Sequence, residues 1–400
     1  MQSEKNITNR EILISGAGIA GTTLAFWLKK FGFNPTIVER SPKLREGGYA
    51  IDFWGAGYDV AERMGILSEL NKVDLKISEL TFVDAKNNRK GGLNYAQLVK
   101  QMNNRAFTLL RSDLAKVIYS FLDKDIEMIF GDSISKIESQ TDEVTVTFQR
   151  GNKRNFDLVI GADGLHSNVR NLVFGGEEQF EKYYGYYTSS FTIEDDKYKN
   201  KEFQMYNVPS KQAAIYSTNE NKATTFFIFA SPQKLSLPQH DVETQKQILK
   251  NEFENIGWKC GDMISKMDST SDFYFDVVSQ IQMDRWSKDR VTLVGDACDC
   301  PSLLSGQGST LAMVGAYILA GELKEANGDY KIAFDRYQKI FKPFIDDKQK
   351  LAQNFAKSFV PKSKFGIWTR NVVVNLMSIP FVSKFFVKQF SDSKLKLKAY

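Results

Sequence analysis

"ILISGAGIAGTTLAFWLKKFGFNPTIVE", residues 12–39, decides the fold. Ile12 to Ser15 is a short apolar run of the buried-strand kind. "GAGIAG" turns the chain, "TTLAFWLKKFG" has helical spacing with a glycine stop at Gly32, and "NPTIVE" is a second strand-like run ending at Glu39. The product is a βαβ unit whose first turn carries Gly16, Ala17, Gly18 and Gly21 as G-x-G-x-x-G. Glycines there permit a tight turn and bring backbone N–H groups and the positive helix end up to a pyrophosphate. Glu39, with Arg40 beside it, stands at the spacing of a ribose 2′-hydroxyl acceptor. A lone G-x-G-x-x-G is weak; between a strand and a helix, with an acidic partner, it predicts a bound dinucleotide.

Working outward, two more strands end in glycine-rich turns. "DLVIGADGLHSNVR", Asp157 to Arg170, stops a buried run at Gly161 and Gly164, offers the Asp163 carboxylate, and follows it with Arg170, which has an acidic neighbour as one expected partner. "RVTLVGDACDCPSLLSGQGSTLA" puts Gly295 and Asp296 after a strand, then Pro301, then Gly306, Gly308 and Ser309 at a helix start. Between these two turns, from about Tyr183 to Gln282, β-branched and aromatic runs alternate with polar turns, interrupted by one helical stretch, Asp241 to Ile256. Other helix-like segments fall near Tyr58 to Leu70 and Ser112 to Leu122, and a long amphipathic helix covers about Asp329 to Phe359. The expectation is an α/β fold in which a Rossmann-type domain (1–180 and 283–328) is interleaved with a mostly antiparallel substrate sheet (181–282). A bridging helix (329–360) and a C-terminal helical segment (361–400) follow.

Composition narrows the chemistry. The 400 residues carry 53 basic and 48 acidic side chains, a net charge of +5, and no basic run interleaved with aromatics, so nucleic acid is not expected as a partner. Three cysteines, Cys260, Cys298 and Cys300, are too few for a disulfide framework. With only His166 and His240, a Cys/His zinc site is not expected, and a Ser-His-Asp hydrolase would have to use one of those two. Chemistry is therefore expected from a cofactor. "MQSEKNITNR" has no apolar h-region and no run approaches about 18 apolar residues, so a cytoplasmic protein is expected.

The three turns, in this order, resemble those of the group A flavin-dependent monooxygenases, the aromatic hydroxylase class. The resemblance implies FAD as tight cofactor. Asp296 would bond a ribityl hydroxyl, and the Gly306 to Ser309 helix start would face the flavin pyrimidine ring. Arg111 in "LLRSDL" would reach the ribityl and phosphate region, and "REGGYAID", with Arg45, Gly48 and Asp52, resembles the loop over the isoalloxazine. Asp163 would serve the second fingerprint, which in the family helps with both FAD and NAD(P)H. No second G-x-G-x-x-G follows a strand, so reductant, NADPH or NADH, would bind transiently, with Arg45 a candidate contact. The resemblance further implies O₂ activation as a flavin C4a-hydroperoxide and no protein nucleophile.

Most of the chain is similar to the tetracycline destructases, the tetracycline-inactivating members of that class. Asp299 replaces a histidine common in the late motif, and Thr310 replaces an asparagine. The resemblance nominates Ser189 and Gln212 as substrate contacts, in a sheet whose aromatics would suit a flat polycyclic ligand, although alternating aromatics in strands are usually core. Hydroxylation or epoxidation of another phenolic or polyketide-like compound, and ligand binding without turnover, remain alternatives. "SKFGIWTRNVVVNLMSIPFVSKFFVKQF", residues 363–390, is apolar on one side and basic on the other. It reads as a helix docked on the body at the substrate entrance, ahead of plain structural docking or a membrane-surface contact. A monomer is expected.

Overall fold

The computed structural model describes residues 7–45, 47–194, 201–219, 221–235, 241–378 and 395–400. His240 and residues 379–390 of the C-terminal stretch lie outside them.

The stretch that opened the sequence builds the middle of a six-stranded sheet. In spatial order its strands are Ser287–Lys288, Val291–Leu293, Leu158–Gly161, Glu11–Ser15, Asn34–Glu39 and Glu127–Phe130. All adjacent pairs are parallel except the short first one. Ile12 to Ile14 and Leu158 to Ile160 have no exposed surface, as uninterrupted Ile/Leu/Val runs require when a parallel sheet is covered on both faces. The helices Ile19–Lys30 and Gly308–Glu325 share the resulting core, as does a three-stranded antiparallel sheet, Ile134–Ser139, Val144–Phe148 and Lys153–Phe156, through Ile134, Val146 and Phe156.

A seven-stranded sheet forms the second layer, in the order Tyr274–Ile281, Glu181–Glu194, Lys222–Ala230, Lys211–Asn219, Glu202–Val208, Glu79–Val83 and Arg89–Asn94. The last two strands come from the segment expected to belong to the cofactor domain. Glu79–Val83 pairs in parallel with Glu202–Val208 and antiparallel with Arg89–Asn94. The division at residue 181 is thus crossed by a hairpin whose turn, "DAKNN", is closed by Asp84 accepting from the Lys86 and Asn88 amides.

Strand alternation gives this sheet two different faces. Tyr187, Phe191, Phe227 and Phe229 pack beneath the helices Val242–Phe253 and Cys260–Ser265 with Leu249, Phe253 and Met263. The opposite face, with Tyr186, Ala214, Phe226, Ile228 and Val278, gathers against Tyr49 and Leu303 of the cofactor domain. The helical stretch expected at Asp241 to Ile256 is Val242–Phe253, capped by the Asp241 side chain on Thr244 N. The short helix Cys260–Ser265 was not legible beforehand.

The long helix Tyr330–Phe359 starts at its Asp329 cap, which accepts from the Lys331 and Ile332 amides. Gln349 on it donates to the carbonyls of Ile281 (2.8 Å) and Cys300 (3.1 Å), and Gln280 donates to those of Pro301 and Gln349. One buried amide pair therefore clamps the late glycine-rich turn to the edge strand of the second sheet.

Candidate functional site

In a parallel sheet the carboxyl ends of adjacent strands share one rim, and ligands bind there. Val291–Leu293, Leu158–Gly161, Glu11–Ser15 and Asn34–Glu39 are consecutive, so the late turn, the middle turn, the first turn and Glu39 line up on that rim. They are also in van der Waals contact. A Cβ on Gly16 (φ +106°) would lie 2.5 Å from the Ala162 carbonyl oxygen, and one on Gly295 (φ +66°) would lie 3.1 Å from Ala20 Cβ. Gly21 packs on the Gly16 carbonyl, where a Cβ would sit at 2.0 Å.

A cavity of about 160 Å³ opens at the rim, lined by Gly16, Ala17, Gly18, Glu39, Arg40, Arg45, Arg111 and Asp163 among others. Glu39 accepts from Ala17 N (2.8 Å) and Ser41 N (2.9 Å), fixing the first turn to the second strand. A Cβ on Gly18 would meet nothing within 4 Å, and the helix behind it has no side-chain cap. Backbone, cavity and helix start are thus open to an anionic ligand at one place.

The arginine of the middle turn pairs with an acidic neighbour, as expected, and also bonds to backbone. Arg170, fully buried, donates to the carbonyls of Ala297 (2.8 Å) and Leu165 (2.7 Å) and pairs with Glu177 at 3.0 Å. It ties the middle turn to the late one. Asp163 is spoken for by its own turn, accepting from Ser167 Oγ (2.5 Å) and Val169 N (3.0 Å); burial pushes its pKa up.

Deeper in, a group of charged and phenolic side chains surrounds the junction of the two domains. Burial works against the Arg111 charge, but Tyr49, Asp296, Tyr274 and Asp276 more than offset it and raise its pKa. Arg111 is exposed to the cleft although it lies deep within the fold. Asp296 has its pKa raised by burial against the pull of Arg111. Asp52, likewise raised by burial, accepts from Tyr95 Oη (2.6 Å) and Thr108 Oγ1 (3.3 Å). The loop carrying Gly48 is tied to the second sheet, with Ser190 Oγ donating to Gly48 O (3.2 Å) and Ala50 N donating to Tyr216 Oη (2.6 Å).

Tyr49, Tyr274 and Asp276 were not singled out in the sequence, and His166 was considered there only as one of two histidines. The period-2 pattern was the available signal: Asp276 pairs with Thr188 and Tyr274 with Ser190, on the cleft face shared by Tyr186 and Phe226. His166 bridges the domains, with Nδ1 2.9 Å from Glu177 and Nε2 2.9 Å from Asp276. Burial opposes its charge, yet the two carboxylates raise its pKa from 6.5 to about 10.

The same parity separates the two nominated substrate residues. Gln212 pairs with Ile228 and shares the cleft face, where Asn207 donates to it. Ser189 is on the other face with Tyr187 and Phe191, wholly buried, donating to Tyr274 O (2.7 Å); a side chain one residue out of phase points away from the cleft. In the late turn Pro301 is buried, and Gly306 (φ +62°) and Gly308 precede Ser309 at the start of the helix Gly308–Glu325, again without a side-chain cap. Asp299 is 1% exposed, and neither carboxyl oxygen finds an N–H or O–H donor among the described residues; only the weakly donating Cys298 thiol is at hand. Burial pushes its pKa well above the ordinary value for an aspartate. Thr310 donates to Trp54 O at 3.4 Å.

Residues 9–344 match the FAD binding domain family. The chain belongs to that family. A flavin-dependent monooxygenase of Legionella longbeachae is 38% identical over 360 residues, 89% of this chain and 91% of that protein. An uncharacterised protein of Mycobacterium tuberculosis is 41% identical over 346 residues, 86% and 93% of the two chains. Among solved structures, the tetracycline destructase Tet(51) superposes with a TM-score of 0.85 at 33% identity, covering 98% of this chain and all of its own. The chain is an FAD-dependent monooxygenase, an oxidoreductase. The open Gly18 backbone and the two uncapped helix starts fit the negatively charged parts of FAD.

Proposed function

We propose that this monooxygenase uses NADPH and O₂ to oxidise and so inactivate tetracyclines. The observation that carries the reading is the likeness to Tet(51) along the whole chain, including the second sheet and the C-terminal helix, at an identity of 33%. Bound FAD supplies the oxygen-activating chemistry. The chain's own residues bind, orient and exclude water. The turn Gly16–Gly18 would take the pyrophosphate and Glu39 the ribose, Asp296 and Arg111 would hold the ribityl region, and the uncapped start of Gly308–Glu325 would favour negative charge on the flavin. Arg45, exposed at the cavity mouth, is assigned to transient contact with NADPH.

Support for a flat aromatic substrate comes from the cleft face. Tyr49 lies 5.6 Å from Phe226 and 5.7 Å from Tyr274, ring centre to ring centre. Apolar rings with a few convergent polar groups are what binds such ligands. Gln212 supplies one polar group on that face.

The test mixes FAD-loaded protein, NADPH, O₂ and tetracycline, follows the drug's absorbance, and weighs the product. NADPH-dependent loss of the drug with one oxygen atom added is expected. A drug that survives while NADPH still reduces the flavin overturns the substrate and leaves the monooxygenase, with other phenolic or polyketide compounds next to be tried.

A further inference from the structure

The helix Lys364–Met377 carries its apolar side to solvent. Phe365 is 72% exposed, Trp368 60%, Val373 50% and Leu376 51%, and Val372 completes the same stripe. Phe365 and Trp368 stack on each other at 5.8 Å. What packs on the body is the polar side. Gly92 N donates to Asn375 Oδ1 (3.1 Å), Ser378 Oγ donates to Gly92 O (2.9 Å), and the Arg370 guanidinium lies 3.9 Å from the centre of the Phe82 ring. The usual arrangement of a surface helix is reversed. Turning the stripe inward would break these bonds, so the helix docks on the body, as expected, by its polar face.

We propose that this stripe rests on the surface of an anionic lipid bilayer. Charge selects that occupant. Residues 361–378 carry Lys362, Lys364 and Arg370 and no Asp or Glu, and Lys362 and Lys364 are exposed at the start of the helix. A second copy of the chain would bring the same cations with no carboxylates to meet them. An anionic headgroup layer meets the cations, and the acyl boundary accepts Phe365, Trp368 and Leu376, with tryptophan suited to the interface. Two weak signals, apolar insertion and basic attraction, together give stable surface binding. Among the described residues no helix is long and apolar enough to cross a membrane, so the contact is peripheral.

The test uses the full-length, FAD-loaded protein and needs no drug substrate, so its outcome is independent of the proposed activity. Flotation is measured with phosphatidylcholine vesicles and with vesicles of phosphatidylcholine and phosphatidylglycerol at two to one. Wild type is expected to float with the anionic vesicles, less so as salt rises. The double variant Phe365→Ser, Trp368→Ser is expected to lose about tenfold or more of that binding, with flavin absorbance and gel-filtration volume unchanged. No flotation of the wild type, or equal flotation of the variant, overturns the proposal. So does a wild-type dimer that the variant makes monomeric without any lipid binding, which would make a second copy the occupant. A variant that loses thermal stability while the wild type ignores vesicles also overturns it, because the stripe would then be covered by the chain itself.

Discussion

A methyl group added at Gly16 would lie 2.5 Å from the Ala162 carbonyl oxygen on a backbone at φ +106°, whereas one added at Gly18 would meet nothing within 4 Å. The two glycines of one motif thus serve different ends, the first closing the sheet rim and the second leaving room for a ligand. Gly16→Ala is expected to lower stability by about 2 kcal/mol or more, through strain at a positive φ and a backbone clash. Gly18→Ala is expected to change urea stability of the cofactor-free protein by under about 1 kcal/mol while cutting FAD retention through gel filtration. Equal stability losses in the two variants would refute this division. His166 supports a pH prediction at the same scale. Its folded pKa of about 10 exceeds the ordinary 6.5, so the folded state holds a proton that the unfolded chain releases. Its contribution is complete below about pH 6.5 and declines as pH rises toward 10, by no more than about 1.4 kcal/mol per unit. The stability gap between wild type and His166→Gln, measured by denaturant unfolding, should therefore shrink from pH 6 to pH 9.5. A gap that stays constant would remove the charge from the account.

Among the elements, the short helix Asn168–Val173 shows what a sequence conceals. The preceding Gly-Ala-Asp-Gly turn was legible as the stop of a buried strand, but the helix's Ser167 cap was not singled out, and Arg170 could be placed only by a fold that brings Ala297 within 2.8 Å, 127 residues away. Arg170→Ala leaves two carbonyls without their donor and Glu177 with fewer cations, and is expected to cost about 3 kcal/mol and to loosen FAD binding. An unchanged urea midpoint would show that the middle and late turns do not depend on it. The βαβ unit, the late turn and the long helix were readable because local periodicity, glycine stops and an Asp cap all point one way. Ser189 was not, since choosing between the faces of a strand requires the phase of its alternation, and Glu181–Glu194 has polar or aromatic residues on both faces with a register shift between Tyr183 and Tyr187. The hairpin of Glu79–Val83 and Arg89–Asn94 was hidden for another reason: membership of a sheet is a long-range fact, and the parallel partner of Glu79–Val83 lies more than a hundred residues on.

For the whole molecule, interleaving decides how the protein must fold. The second sheet cannot be completed by residues 181–282 alone, because Glu202–Val208 would lose its parallel neighbour and present an unpaired edge. Its cleft face would also lose the cover of Tyr49 and Leu303, and Asp276 would lose the His166 bridge. The cofactor domain is no more independent, since the clamp of Gln280 and Gln349 holds its late turn against the sheet's edge strand. Full-length protein is therefore expected to unfold in one cooperative transition, with flavin release, loss of tryptophan burial and loss of far-UV ellipticity coinciding in urea. A fragment of residues 181–282 should show poor amide dispersion and no cooperative transition. If that fragment folds, the sheet's native edge is dispensable and the cleft is assembled by docking two finished domains. If it does not, the cleft and the cofactor rim form in the same step, and FAD binding should raise the stability of the second sheet as much as that of the first.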